Sequence, residues 1–218
     1  KLIEPLGTTG KAVIELRYSL TDAGRRWAIE TLEQCRYVGV APVPLEEFQH
    51  RVLGQKITNE RISRDMLQGV FHDMVVSDVF LRRIGPAVNS GRALLLYGPP
   101  GNGKTSIAER VSSIFNDIIY IPHAIEIDGQ IIKVFDPAIH KAVTQSATED
   151  NANVIRKHEL DRRFVACKRP IIITGGELNL EMLDLRFDAT AGYYEAPLHV
   201  KALGGTFIID DFGRQLIR

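Results

Sequence analysis

Residues 98–105 read Gly98-Pro99-Pro100-Gly101-Asn102-Gly103-Lys104-Thr105 and satisfy the pattern G-x-x-x-x-G-K-[ST]. Average composition yields such a match by chance in about one chain in a hundred of this length. The flanks make it rarer still. Arg92-Ala93-Leu94-Leu95-Leu96-Tyr97 is a continuous apolar run of the kind that forms a strand in a parallel sheet covered on both faces. From Lys104 to about Phe115 the spacing predicts a helix, so the motif lies between a strand and a helix, where a phosphate loop belongs. Glycines let successive backbone N–H groups turn inward on phosphate oxygens, and the helix N-terminus adds free donors and partial positive charge. Pro99, Pro100, Gly101, Asn102, Gly103, Lys104, Thr105 and Ser106 are therefore the candidates for holding a nucleotide. Lys104 would reach the β- and γ-phosphates as a point charge, and the Thr105 hydroxyl would ligate Mg²⁺. Asn102 serves the geometry of the loop.

A nucleotide site needs an acid at the end of a neighbouring strand. Gly204-Gly205-Thr206-Phe207-Ile208-Ile209-Asp210-Asp211 has that form. Its apolar run buries a strand and delivers Asp210 to the carboxyl end, where ligands bind in open α/β sheets. Asp210 would organise the metal through its water shell. Asp211 would be the catalytic group that accepts a proton from, or polarises, the attacking water.

Working outward, strands are expected at 118–124, 171–174 and 206–210, and Asp128-Gly129 between alternating residues predicts a β-hairpin. Residues 143–163 are polar and highly charged, and read as a mobile or partly helical insertion. On the N-terminal side, residues 12–20 are β-prone. Thr21 can cap a helix to about Cys35, with Asp22 in its first turn and Ala23, Trp27, Ala28 and Leu32 as its apolar face. Residues 38–48, with two prolines and a glycine, read as a linker. Helices are expected at 45–54 and 63–75, and from a Ser77 cap through Ile84, ended by Gly85-Pro86. Residues 89–91 form a turn.

Composition is that of a globular chain: 218 residues, 44% hydrophobic and 25% charged. Lys+Arg and Asp+Glu both number 27, and residues 1–90 alone carry 12 basic and 11 acidic side chains. That balance speaks against a nucleic-acid partner. Cys35 and Cys167 form no CxxC and no metal spacing, which fits reduced thiols in a cytoplasmic protein. No apolar run approaches the roughly 20 residues of a membrane span, and no signal peptide opens the chain. The first residue is Lys1, not Met, so the chain is expected to be a piece of a longer protein.

GPPGNGKT together with FIIDD resembles the AAA+ ATPases over roughly residues 90–218. ALGGTFIIDD is similar to the branch of that family with a β-hairpin insertion, which makes the strands around 177–194 candidates for that insertion. The absence of a GAFTGA loop argues against a transcription activator. NSGRALLLYGPPGNGKTSIAER, GGELNLEMLDLRFD, YYEAPLHVKALGG and IIDDFGRQ resemble more closely a poorly characterised group of bacterial AAA-type ATPases. The resemblance implies an α/β fold: a P-loop NTPase three-layer sandwich with a mainly parallel sheet, truncated at the C-terminus. It also implies ATP and Mg²⁺ as ligands, hydrolysis to ADP and phosphate, a homo-oligomeric ring such as a hexamer, and remodelling of a protein partner. Lys104, Thr105 and Asp210 match the family's phosphate lysine, magnesium ligand and metal-organising acid. Asp211 stands where the family has a catalytic Glu and is one methylene shorter, which puts the rate of hydrolysis in question. The family's sensor residue, arginine finger and lid have no counterpart before Arg218, so these residues alone should bind nucleotide and hydrolyse it slowly. The helices of about 56–90 are expected to cover the adenine.

RYSLTDAGRR resembles the last wing strand and following helix of winged-helix domains over about 25 residues. The expected division is therefore a partial winged-helix-like region at 1–37, linking helices at 38–90 and the AAA+ core at 91–218. Two other readings stay open: a nucleotide-gated switch with little turnover, and a DNA-binding regulator carrying an ATPase. Among further residues, Glu177 is a reserve base, while His123, Arg214, Tyr193 and Tyr194 are expected to be structural.

Overall fold

The computed structural model of the chain describes residues 1–6, 17–143 and 161–216. Most of the expected polar insertion and part of the strand predicted over 12–20 lie outside the described residues. The chain divides into two compact units. Unit 1 comprises Lys1–Gly39 and Phe187–Tyr193, and unit 2 comprises Val40–Arg186 and Tyr194–Arg218.

In unit 1, β1 (Ile3–Leu6) pairs antiparallel with β2 (Arg17–Leu20), Ile3 opposite Leu20. Helix α1 (Asp22–Gln34) starts where Thr21 accepts a hydrogen bond from the Gly24 N–H through its side-chain oxygen, 3.1 Å. Gly24 is the buried position of the helix, because a Cβ there would lie 2.0 Å from the Leu2 carbonyl oxygen. Among the described residues the expected apolar face of α1 is only partly covered: Ala28 is half-buried, whereas Ala23 is exposed, Trp27 is 56% exposed and Leu32 41%. A two-stranded ribbon offers too little apolar area to bury it. The returning segment is held by Arg36 N–H to Ala191 O (2.8 Å) and by an edge-to-face pair of Tyr37 and Tyr193.

Unit 2 opens with β3 (Val43–Pro44) and α2 (Leu45–Gly54), followed by α3 (Arg64–Val70), α4 (Asp78–Asn89) and α5 (Lys104–Ser112). Then come β4 (Ile118–Pro122), β5 (Ala124–Ile127), β6 (Gln130–Lys133), β7 (Phe164–Lys168) and β8 (Ile171–Thr174). Strands β9 (Arg186–Asp188) and β10 (Tyr193–Glu195) flank the second passage through unit 1, and α6 (Leu198–Lys201) and β11 (Thr206–Ile209) follow.

Pairing is mixed, where a mainly parallel sheet was expected. β3–β5, β6–β10 and β8–β11 are parallel, whereas β5–β6 and β4–β7 are antiparallel. The β5–β6 hairpin turns at Asp128 (φ 50°) and Gly129 (φ 79°), the two positive φ values a type I′ turn requires. One apolar core gathers Val43, Phe48, Ile119, Ile121, Ile125, Ile132, Val134 and Phe164 around these strands. A second, built from α3, α4 and α5, contains Leu67, Phe71, Leu81, Ile84, Val88 and Val111.

Two further expectations are corrected. Among the described residues, 93–97 join no strand ladder. Leu96 packs against the helical core, while Leu94, Leu95 and Tyr97 are 43%, 71% and 88% exposed. Strand propensity needs a partner edge, and β11 pairs with β8. Helix α4 also does not end at Gly85-Pro86. It carries Pro86 inside and stops at Ser90, whose N–H closes on Pro86 O and Ala87 O. Gly85 is needed for packing, since a Cβ there would meet the Leu67 side chain at 3.0 Å.

Candidate functional site

Every element of the loop at 98–105 is arranged by backbone conformation. Gly98, Gly101 and Gly103 have φ of 152°, 83° and 69°, values that favour glycine. A Cβ at Gly98 or Gly101 would meet nothing within 4 Å, so the glycines serve the turn and open space lies beside them. Gly103 is the N-cap of α5 and supplies no side-chain cap. Among the described residues no acceptor takes the N–H groups of Lys104, Thr105 and Ser106. These are the orphan donors of a helix start, and they suit an anion.

Lys104 folds back over this loop. Its Nζ donates to Gly98 O at 3.1 Å and Pro99 O at 3.0 Å. Pro99, Pro100, Asn102 and Ser106 are exposed. Behind the loop, Arg110 of α5 donates to Val70 O (3.0 Å) and forks onto the Asp73 carboxylate, which it holds below the ordinary carboxylate range. The side chain of Met74 reaches to 3.9 Å from where a Gly103 Cβ would stand, so the segment after α3 borders the loop.

The acidic half arrives on β11. The parallel ladder pairs Ile209 with Thr174, and Asp210 N–H extends it to Thr174 O at 2.7 Å. Asp210 is thereby held at the strand end, half-buried, with Oδ2 accepting the Thr105 hydroxyl at 2.9 Å and Oδ1 accepting the Asp211 N–H at 2.9 Å. Asp211 has φ 49° and is 65% exposed, and Arg214 approaches its Oδ2 at 3.4 Å. The structure thus brings Thr105 and Asp210 into contact and sets Lys104 on the adjoining loop.

A hydroxyl and a carboxylate oxygen side by side are hard donors that fit Mg²⁺. Among the described residues no group of three or more His, Cys, Asp or Glu side chains could cage a metal. A site of one hydroxyl and one carboxylate is the open kind that Mg²⁺ uses when phosphate oxygens and waters complete its shell.

The reserve base Glu177 and the histidine expected to be structural, His123, are both engaged within the fold. Glu177 Oε1 accepts the Gly175 N–H at 2.8 Å, which closes the turn after β8 and lowers the pKa of its own carboxyl. The His123 ring packs edge-on to Phe135 at 5.5 Å, and its carbonyl takes the N–H groups of Val134 and Phe135. Gln215 was given no role by the sequence reading, yet its amide joins Asp210 O (2.9 Å), Asp211 O (3.2 Å) and Gly175 O (3.4 Å). A glutamine four residues past an acidic pair carries no spacing signal that would single it out.

Residues 94–168 match the model of the ATPase family associated with various cellular activities (AAA), a span that includes the phosphate loop. The chain is 29% identical over 119 residues to a proteasome-activating nucleotidase of Methanocaldococcus jannaschii, covering 53% of this chain and 26% of that protein. It is 36% identical over 53 residues to a vesicle-fusing ATPase of Dictyostelium discoideum, covering 24% of this chain and 7% of that one. The chain therefore spans about a quarter of the first relative's length and less of the second's. Among the described residues no helix is long and apolar enough to cross a membrane.

Proposed function

We propose, on the premise that residues 94–168 belong to the AAA family of ATPases, that the chain binds ATP with Mg²⁺ and hydrolyses it to ADP and phosphate. The observation that carries this reading is the contact of Thr105 with Asp210 beside the unpaired amides of the α5 N-terminus. The amides of residues 104–106 receive phosphate oxygens. Lys104 exchanges the Gly98 and Pro99 carbonyls for the β- and γ-phosphates, trading two neutral acceptors for charged ones. Thr105 and Asp210 hold the metal, which when bound neutralises phosphate charge. Asp211 orients the attacking water and takes its proton.

The output we assign is remodelling of a protein partner by a ring of copies. The names of the two relatives, one activating a proteasome and the other fusing vesicles, support action on a partner, and the ring is what the AAA resemblance implies. A second reading is a nucleotide-gated switch with little turnover. The engagement of Asp211 by Arg214, together with its short side chain, favours that reading.

Calorimetry with ATP and Mg²⁺ on the parent chain and on Lys104→Ala, with phosphate release followed on the same samples, tests both. Binding that is lost in the variant supports the site. Binding by the parent without phosphate release selects the switch. No binding by the parent overturns the assignment.

A further inference from the structure

The segment after Asp211 is folded around one side chain. Asp211 to Leu216 is exposed at every position except Gln215, which is half-buried. Its Nε2 lies 2.9 Å from Asp210 O, 3.2 Å from Asp211 O and 3.4 Å from Gly175 O, and its Oε1 accepts the Gly213 N–H at 2.7 Å. Both ends of the carboxamide are thus used, and two of the acceptors are the carbonyls of the acidic pair itself. The third belongs to the turn after β8. Leu216 N–H to Leu178 O (3.1 Å) adds a second tie between the same two turns.

The backbone needs such a hold. Asp211 stands at φ 49°, a conformation that a free chain visits rarely at a non-glycine residue. Arg214 N–H closes on Asp211 O at 3.1 Å, which tightens the turn but bonds nothing outside it. Asp210 Oδ1 holds the Asp211 N–H, and the carboxamide of Gln215 fastens the Asp211 carbonyl to the ends of both β8 and β11.

We propose that Gln215 is a positioning residue for Asp211: it fixes the left-handed backbone from which the Asp211 carboxylate projects toward the water it activates. This rests on the assignment of Asp211 as the base. Gln215 touches neither nucleotide nor water in this role and acts through the peptide of Asp211. A loosened carboxylate costs rate because the reacting geometry is lost, whereas phosphate binding is made by the loop at 98–105 and is retained.

The test is Gln215→Met, which keeps length and removes both the donors and the acceptor, compared with Asp211→Asn and the double variant in the full-length protein. ATP turnover at saturating Mg·ATP is measured beside nucleotide affinity. The expected result for Gln215→Met is a fall in kcat of about 10²-fold, with ATP affinity held within about twofold. In the Asp211→Asn background, Gln215→Met causes no further loss, as befits residues that act as a unit. A Gln215→Met protein that keeps its kcat while Asp211→Asn is inactive overturns the proposal and leaves the base assignment standing. Losses that multiply in the double variant, or a loss of ATP affinity equal to the loss of rate, overturn it as well. An Asp211→Asn protein with the parent kcat overturns the base assignment and this proposal with it.

Discussion

Thr105 donates its hydroxyl to the Asp210 carboxylate at 2.9 Å, joining the first turn of α5 to the end of β11 across 105 residues of chain. Two oxygens set at this distance can share one small cation. Thr105→Val removes the hydroxyl, and Asp210→Asn removes the negative charge of the carboxylate. Each variant is expected to weaken the Mg²⁺-dependent part of ATP affinity about tenfold, the size of one charge-assisted contact. Titrations with Mg²⁺ and with a chelator check it, and equal affinity ratios in parent and variants would refute it.

Lys104 bonds two carbonyls of its own loop. Lys104→Ala therefore loses little within the protein and much toward a phosphate. ATP affinity is expected to fall about 10- to 100-fold, while the melting temperature changes little. A variant that binds like the parent would show that phosphate does not sit on this loop.

Gly205 lies where β11 approaches the turn before β8. A Cβ there would stand 2.0 Å from Pro170 O, the acceptor that also receives Thr206 N–H at 2.9 Å. Backbone against backbone cannot relax as a flexible side chain can. Gly205→Ala should therefore destabilise unit 2 by about 3 kcal/mol, read from a denaturant midpoint. The glycine pair before the apolar run is a packing requirement at its second member.

His140 is buried, with both ring nitrogens committed. Nδ1 accepts the Asp136 N–H at 2.9 Å, so Nε2 carries the proton and donates to Lys201 O at 2.8 Å. Burial lowers its pKa below the ordinary 6.5, with the Asp136 carboxylate opposing and the Lys201 ammonium assisting. The neutral ring is the folded form. Its contribution is therefore complete above pH 6.5 and is lost as pH falls from there through the lower folded value. Melting temperature should drop between pH 7 and 5, and His140→Gln should flatten that drop.

Cys167 is fully buried in β7, and burial pushes its thiol up to about 11. Cys35, at the end of α1, is half-exposed. A thiol reagent at neutral pH should label Cys35 within minutes and Cys167 only on unfolding. Mass analysis of the labelled native protein decides it.

What could be read from the sequence was governed by short-range chemistry. Thr21 and Ser77 cap helices because one oxygen finds an N–H three residues on. Asp128-Gly129 closes a hairpin because two adjacent residues tolerate positive φ. The strands at 171–174 and 206–209 are bounded by their own composition. That Thr105 and Asp210 would lie together was readable because each sits at a set place, one at a helix start after a glycine loop and the other at a strand end. The failures were relational. Residues 93–97 have strand composition without a partner edge. Pro86 is tolerated within α4, and among the described residues Trp27 and Leu32 of α1 stay exposed beside the β1–β2 ribbon. Gln215 matters through three carbonyls that only the fold assembles.

The chain has a single tryptophan, and it stands on α1 in unit 1, more than half in solvent. Its emission consequently reports on the surroundings of α1 and is red-shifted even in the native state. Tyr97, 88% exposed and adjacent to Gly98, is the chromophore placed to sense the loop. Denaturation followed by tryptophan light and by far-ultraviolet dichroism would show whether the surroundings of α1 melt together with the chain's secondary structure as a whole.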